Sequence, residues 1–132
     1  MDEKETTAKT RILIVDDDPD LVALLKLDLS NQGYEIITAS NGKDALHMAN
    51  TNQVELVLLD VMMPYMDGYH VAHEISSKMG IDAPRVLLMT SRDTLRERGV
   101  ILMSGADGAI QKPFAPNELH IKIKEILKIP RD

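Results

Sequence analysis

The sequence contains no cysteine. That excludes disulfides and thiolate metal sites, and it is compatible with a reducing compartment. Aromatic residues make up only 3% of the chain, so Leu, Ile, Val and the eight Met must fill any core. No basic stripe offsets the formal net charge of -6, which argues against direct nucleic-acid binding. No apolar run approaches the ~18–20 residues of a membrane span. Met1 to Thr10 is polar and lacks the apolar segment of a signal peptide. A mobile tail over residues 1–10 and a soluble, cytoplasmic chain without membrane insertion are expected. What the sequence does have is apolar content, 44% of 132 residues, enough for the core of one domain and too short a chain for two.

The most informative stretch is Val54 to Gly68. Its apolar run, Leu56 to Leu59, shows no alternation and ends in one carboxylate, Asp60. This is the pattern of a parallel strand covered on both faces. Pro64 blocks regular structure after it, and Asp67-Gly68 signals a turn or helix start. In open α/β sheets the carboxyl ends of the strands form the ligand crevice, so Asp60 is a candidate for chemistry.

The rest of the chain alternates strand and helix. Ile12 to Val15 is a strand closed by Asp16-Asp17-Asp18-Pro19, with Asp18 as N-cap and Pro19 in the first helical turn. Leu21, Leu24, Leu25 and Leu29 recur at helical spacing, and Gly33 stops the helix. Tyr34 to Ala39 is a second strand, Asn41-Gly42 turns the chain, and a helix over 43–50 presents Ala45, Leu46 and Ala49. A helix over 68–78 directs Val71, Ala72 and Ile75 inward. Arg85 to Met89 is the fourth strand, and Asp93 caps a fourth helix running to Ser104, weakened by Gly99. Ala109 to Gln111 is the last strand, and Pro116 opens a final helix carrying Leu119, Ile123, Ile126 and Leu127. Five strands alternating with five helices predict an α/β doubly wound parallel sheet with right-handed crossovers and strand order 2-1-3-4-5.

All strand ends then share one edge. Strand 1 brings Asp16 and Asp17, strand 3 Asp60, strand 4 Thr90 and strand 5 Lys112. Two carboxylates at ~4 Å repel by about 4 kcal/mol at an effective dielectric near 20, so a neutralising cation is expected. Mg²⁺ fits an all-oxygen set that also receives a phosphoryl oxygen. Lys112 supplies a second positive charge and Thr90 a hydroxyl. Together they form a clamp for the oxygens of a transferring phosphoryl group. Taken singly, each residue has a plainer reading: Asp60 and Asp16-Asp17 as turn residues, Thr90 as a loop hydroxyl, Lys112 as a surface lysine.

On Ile-Leu-Ile-Val-Asp-Asp-Asp-Pro (12–19), Leu-Val-Leu-Leu-Asp-Val-Met-Met-Pro-Tyr-Met-Asp-Gly (56–68), Met-Thr-Ser (89–91), Gly-Ala-Asp (105–107) and Lys-Pro-Phe (112–114), the chain resembles the flavodoxin-like receiver domain of two-component response regulators. The match covers residues 11–128, with 129–132 as a tail or the start of a linker. The resemblance implies phosphoryl transfer to Asp60 from a phosphohistidine on a sensor histidine kinase or phosphotransfer protein. It implies Mg²⁺ held by Asp16, Asp17, Asp60 and the Met62 backbone carbonyl. Lys112 would contact the phosphoryl group, Thr90 would carry the switch, and Pro113 would follow a cis peptide. Such a domain catalyses only its own modification. Its output is a downstream protein target or an output domain elsewhere in a longer chain, and a homodimer on phosphorylation is one arrangement to expect.

The family commonly has an aromatic ring on strand 5 where this chain has Ala109. A methyl group cannot swing between buried and exposed positions, so the signal should travel through the fourth helix and its loop, or the output surface should differ. The competing enzymatic reading is a small Mg²⁺-dependent phosphohydrolase with an Asp nucleophile. Such enzymes place a second Asp two residues on as general acid, where this chain has Met62. A flavin binder would need a phosphate-cradling loop where three Asp stand. His47, His70, His73 and His120 are scattered over separate helices; His70 and His73, one turn apart, could share a metal, but a solvated helix face is the expectation for that pair.

Overall fold

The computed structural model describes residues 9–64, 66–79 and 82–130. The tail expected over residues 1–10 therefore falls mostly outside the described residues, as do the last two positions of the chain. Five parallel strands form the sheet: Arg11–Val15 (β1), Glu35–Ala39 (β2), Leu56–Asp60 (β3), Arg85–Thr90 (β6) and Gly108–Gln111 (β7). A two-stranded antiparallel hairpin, Met62–Met63 (β4) and Met66–Asp67 (β5), interrupts the sequence after β3. The order in the sheet is β2-β1-β3-β6-β7, which is 2-1-3-4-5 once the hairpin is left out.

The sheet is central because its strands are apolar on both sides. Leu13 and Val15, Val57 and Leu59, and Val86 and Leu88 join one core with Ala45, Ala49, Val71, Ala72, Ile75 and Ile101. The alternate residues, Ile12 and Ile14, Leu56 and Leu58, Leu87 and Met89, join a second core with Leu25, Leu29, Leu119, Ile123 and Ile126. The second core is covered by Pro19–Asn31 (α1) and Pro116–Leu127 (α5). The first is covered by Gly42–Thr51 (α2), Gly68–Met79 (α3) and Arg98–Met103 (α4). At roughly 1.5–3 kcal/mol for each buried aliphatic side chain, these two layers fix the strand register that the site depends on.

Helix entries follow the sequence signals. The Asp18 carboxylate accepts the N–H groups of Asp20 at 3.1 Å and Leu21 at 3.3 Å, satisfying donors that the first turn leaves free. Gly33 ends α1 with φ +97°, a left-handed value that L side chains avoid. Asn41 does more than turn the chain, because it caps α2 through Asp44 N–H at 2.8 Å.

Two expectations need correction. Leu24 does not face the core and is 63% exposed. Successive helical residues are about 100° apart, and the Leu21–Leu25–Leu29 line already occupies the inward face. The fourth helix is also much shorter than the span from Asp93 to Ser104. Asp93 does not cap it: its carboxylate accepts Leu95 N–H at 2.9 Å and closes a turn, residues 94–97 form turns, and α4 runs only from Arg98 to Met103 with Glu97 at its N-cap. Ile101 is its one buried residue, Gly99 lowers helix propensity, and a single apolar anchor does not offset the cost of ordering further turns. Leu95, Val100, Leu102 and Met103 are left exposed.

Candidate functional site

The parallel register carries the polar strand ends to one edge. Val15 pairs with Leu59, Asp60 with Met89, and Thr90 with Gln111. Asp16 follows Val15, and Lys112 follows Gln111, its N–H donating to the Thr90 carbonyl at 2.7 Å. Asp16 and Asp60 are buried, at 3% and 6% exposure, while Asp17 is exposed. Carboxylate oxygens of Asp16, Asp17 and Asp60 all lie within 4.8 Å of one another, the one group of potential metal-ligating side chains among the described residues. An all-carboxylate donor set of this size fits a hard divalent cation such as Mg²⁺ and does not fit a soft one.

Lys112 reaches into this group from β7, with Nζ 2.8 Å from Asp16 Oδ2 and 3.4 Å from Asp60 Oδ1. Asp16 is fixed on its other side, where Oδ1 accepts the Asp18 N–H at 2.9 Å. Asp60 accepts the Met62 N–H at 3.3 Å. Burial and then the Asp16 charge push the Asp60 carboxyl above its ordinary range, with Lys112 and the Met62 N–H opposing them. Burial alone would lower Lys112, but its bond to Asp16 and the charges of Asp16 and Asp60 outweigh that and hold it above 10.5. One ammonium shared between buried carboxylates leaves this edge short of positive charge.

Thr90 is fully buried, and its Oγ1 accepts the Arg92 N–H at 2.9 Å. Accepting uses a lone pair and leaves the hydroxyl proton to donate. The Lys112–Pro113 peptide is cis. Ala109 pairs with Leu88 in the sheet and is half-buried. Met62 is 51% exposed, at the rim beside Asp60. Gly68 has a steric reason to be glycine, since a Cβ there would stand 2.5 Å from the Asp60 carbonyl oxygen.

Three further residues at this edge carried no sequence signal. Tyr69 donates its hydroxyl to Glu97 Oε1 at 3.0 Å, and Arg92 reaches the same oxygen at 3.1 Å. Only a contact across 28 residues reveals them, and no motif marks such pairs. His120 lies 2.7 Å from Asp28 across α5 and α1, and His70 lies 3.8 Å from Glu74. Neither histidine belongs to the acidic cluster.

A buried carboxylate cluster with one lysine stands at the switch point of a doubly wound parallel α/β sheet, where domains of this class bind their ligands. Comparison with known proteins makes this specific. The family model described as response regulator receiver domain matches residues 12–124, and the chain belongs to that family. It is 38% identical over 118 residues to the alkaline phosphatase synthesis transcriptional regulatory protein PhoP of Bacillus subtilis (strain 168), covering 89% of this chain and 48% of that protein. It is 40% identical over 120 residues to the probable transcriptional regulator ycf27 of Porphyra purpurea, covering 91% and 48%. The chain thus spans about half the length of these relatives. Among solved structures, a CheY-like receiver domain protein from Methanospirillum hungatei JF-1 superposes with a TM-score of 0.83 at 31% identity, covering 91% of this chain and 94% of that one. The response regulator TrrA from Thermotoga maritima, solved in complex with Mg(2+)-BeF, gives a TM-score of 0.79 at 38% identity, covering 89% and 98%. No helix among the described residues is long and apolar enough to cross a membrane.

Proposed function

We propose that residues 11–128 act as the phosphoacceptor receiver of a two-component phosphorelay, with Asp60 as the residue phosphorylated. The observation that carries this reading is Lys112 Nζ lying between Asp16 and Asp60, at 2.8 and 3.4 Å, beside the buried Thr90. An oxygen of the Asp60 carboxylate attacks the phosphorus of a phosphohistidine. The P–O bond forms as the P–N bond breaks, and the imidazole leaves and takes up a proton. Lys112 meets the added negative charge, and the Thr90 hydroxyl donates to a phosphoryl oxygen. Asp16, Asp17, Asp60 and the Met62 carbonyl would hold Mg²⁺, which when bound offsets the charge on the phosphoryl oxygens. The movement of Thr90 then biases the loop after β6 and α4 between two arrangements.

The donor is a sensor histidine kinase or a phosphotransfer protein. The output is a downstream protein or a further domain of a longer polypeptide, to which residues 129–132 would lead, and loading can favour a homodimer. This domain itself contacts no nucleic acid, does not insert into a membrane, and works in the cytoplasm. It turns over no external substrate. At the position where a phosphohydrolase would carry its general acid stands Met62.

The test is incubation with acetyl phosphate and Mg²⁺ followed by intact mass. The wild type should gain one phosphoryl group, and Asp60→Asn should gain none. EDTA should suppress the gain. A folded, Mg²⁺-binding wild type with no gain from either acetyl phosphate or a phosphorylated histidine donor would overturn the reading.

A further inference from the structure

The Thr90 hydroxyl is the start of a continuous chain of bonds. It accepts the Arg92 N–H, the Arg92 guanidinium donates to Glu97 Oε1, and Glu97 Oε1 accepts the Tyr69 hydroxyl, at 2.9, 3.1 and 3.0 Å. Glu97 stands at the entry of α4, and its carbonyl accepts the Ile101 N–H at 2.9 Å. Tyr69 stands in the first turn of α3, whose first residue is tied to the residue after Asp60 by Gly68 N–H to Val61 O at 3.0 Å. The Tyr69 hydroxyl therefore fastens the segment that must move to an element that is fixed. Burial, then the bond to Glu97 and its charge, hold the phenol up to about 12, so it remains a donor throughout the working pH range.

The attachment matters because α4 has so little else. It buries only Ile101 and exposes Val100, Leu102 and Met103. Elements with few buried contacts open most easily, and one charge-assisted bond is then a large share of what positions them. A ring from α3 packs against the core on this face of the sheet. Tyr69 packs against the same apolar cluster as Ala106 and Ala109.

We propose that Tyr69 is a positioning residue for phosphoryl acceptance. Its hydroxyl, bonded to Glu97, latches the Thr90–Arg92 loop and α4 to α3 in the unloaded arrangement, and loading of Asp60 breaks this latch. Tyr69 so takes the part that Ala109 has no ring to play. The inference rests on the proposed role of Asp60 and Thr90. A bond present only in the unloaded arrangement opposes loading, so its removal must favour loading by the same factor.

Beryllofluoride with Mg²⁺ provides the probe. Titration of wild type and Tyr69→Phe, followed by amide NMR, reads both affinity at the site and the position of α4. Tyr69→Phe should bind beryllofluoride about 5-fold or more tightly than wild type, and before any addition its amides over 95–103 should already be displaced toward their loaded positions. Glu97→Gln should act in the same direction, and the double variant should add little to Tyr69→Phe alone. A purely structural tyrosine would lower the melting temperature and leave the affinity where it was. Unchanged or weaker binding by Tyr69→Phe overturns the latch. Absence of binding by the wild type overturns the receiver chemistry itself, and the latch with it.

Discussion

The two edges of this sheet use charge in opposite ways. At the amino-terminal edge Arg11 pairs with Glu35 at 3.2 Å, with side chains 29% and 47% exposed, and its N–H donates to Glu55 at 3.0 Å. The pair itself is exposed to water, although Arg11 Nε is buried and a second guanidinium nitrogen donates to the Asn52 carbonyl, and it closes the ends of strands already in register, Arg11 beside Glu35. At the carboxyl-terminal edge Asp16 and Asp60 are buried, and Lys112 is the cation they share. Exposed pairs contribute little to stability, while buried like charges oppose folding and favour whatever neutralises them. The amino-terminal edge is therefore structural, and the carboxyl-terminal edge holds more buried negative charge than Lys112 alone neutralises.

Asp60→Asn tests this contrast most severely. Besides losing phosphoryl uptake, the variant should be more stable at neutral pH, by about 0.5–2 kcal/mol, as a group kept for function and not for stability. Because folding raises the Asp60 carboxyl above 3.8, the folded state binds the proton more tightly than the unfolded state. The wild type should therefore match the variant below that value and fall behind it as pH rises through the folded value, reaching a constant deficit above. Denaturant melts of both proteins across pH 3–8 measure the gap, and an equal stability of the two at all pH values would break the contrast.

Glycine substitutions sharpen it. Gly68→Ala puts a Cβ 2.5 Å from the Asp60 carbonyl oxygen and should cost about 1–3 kcal/mol, while slowing uptake by shifting the acceptor strand. Gly33→Ala, at the other edge, meets no atom within 4 Å and is disfavoured by φ +97° alone. It should cost about 1 kcal/mol and leave uptake unchanged. Parallel stability and uptake assays on the two variants read this difference. The smallest effect is expected for Glu35→Gln, which removes the charge from an exposed pair. It should change stability by less than about 1 kcal/mol, less still in high salt, with wild-type uptake.

Much of this was legible in the sequence for physical reasons. Short apolar runs without alternation at Ile12–Val15 and Leu56–Leu59, set between helical stretches, read as buried parallel strands, and the strand–helix alternation gives the doubly wound order. Once the order is known, Asp16, Asp60, Thr90 and Lys112 must share an edge. The misjudged parts were those where local preference competes with burial. Leu24 has a suitable side chain on the wrong side of α1. The stretch after Asp93 reads as helix, but only Ile101 finds a core to enter, so α4 is six residues long.

Apart from the β4–β5 hairpin, of which it carried no sign, the sequence by itself determined which strands exist and which polar residues end them, because apolar periodicity and strand-end chemistry are local; their order followed from the topology rules for parallel sheets. Only the tertiary structure decided how those ends meet. Lys112 divides itself between Asp16 and Asp60, Thr90 is held by Arg92, and Tyr69 crosses 28 residues to Glu97. Contacts of that kind depend on where α3, α4 and β7 come to rest against one another, a matter of long-range packing that no spacing along the chain encodes.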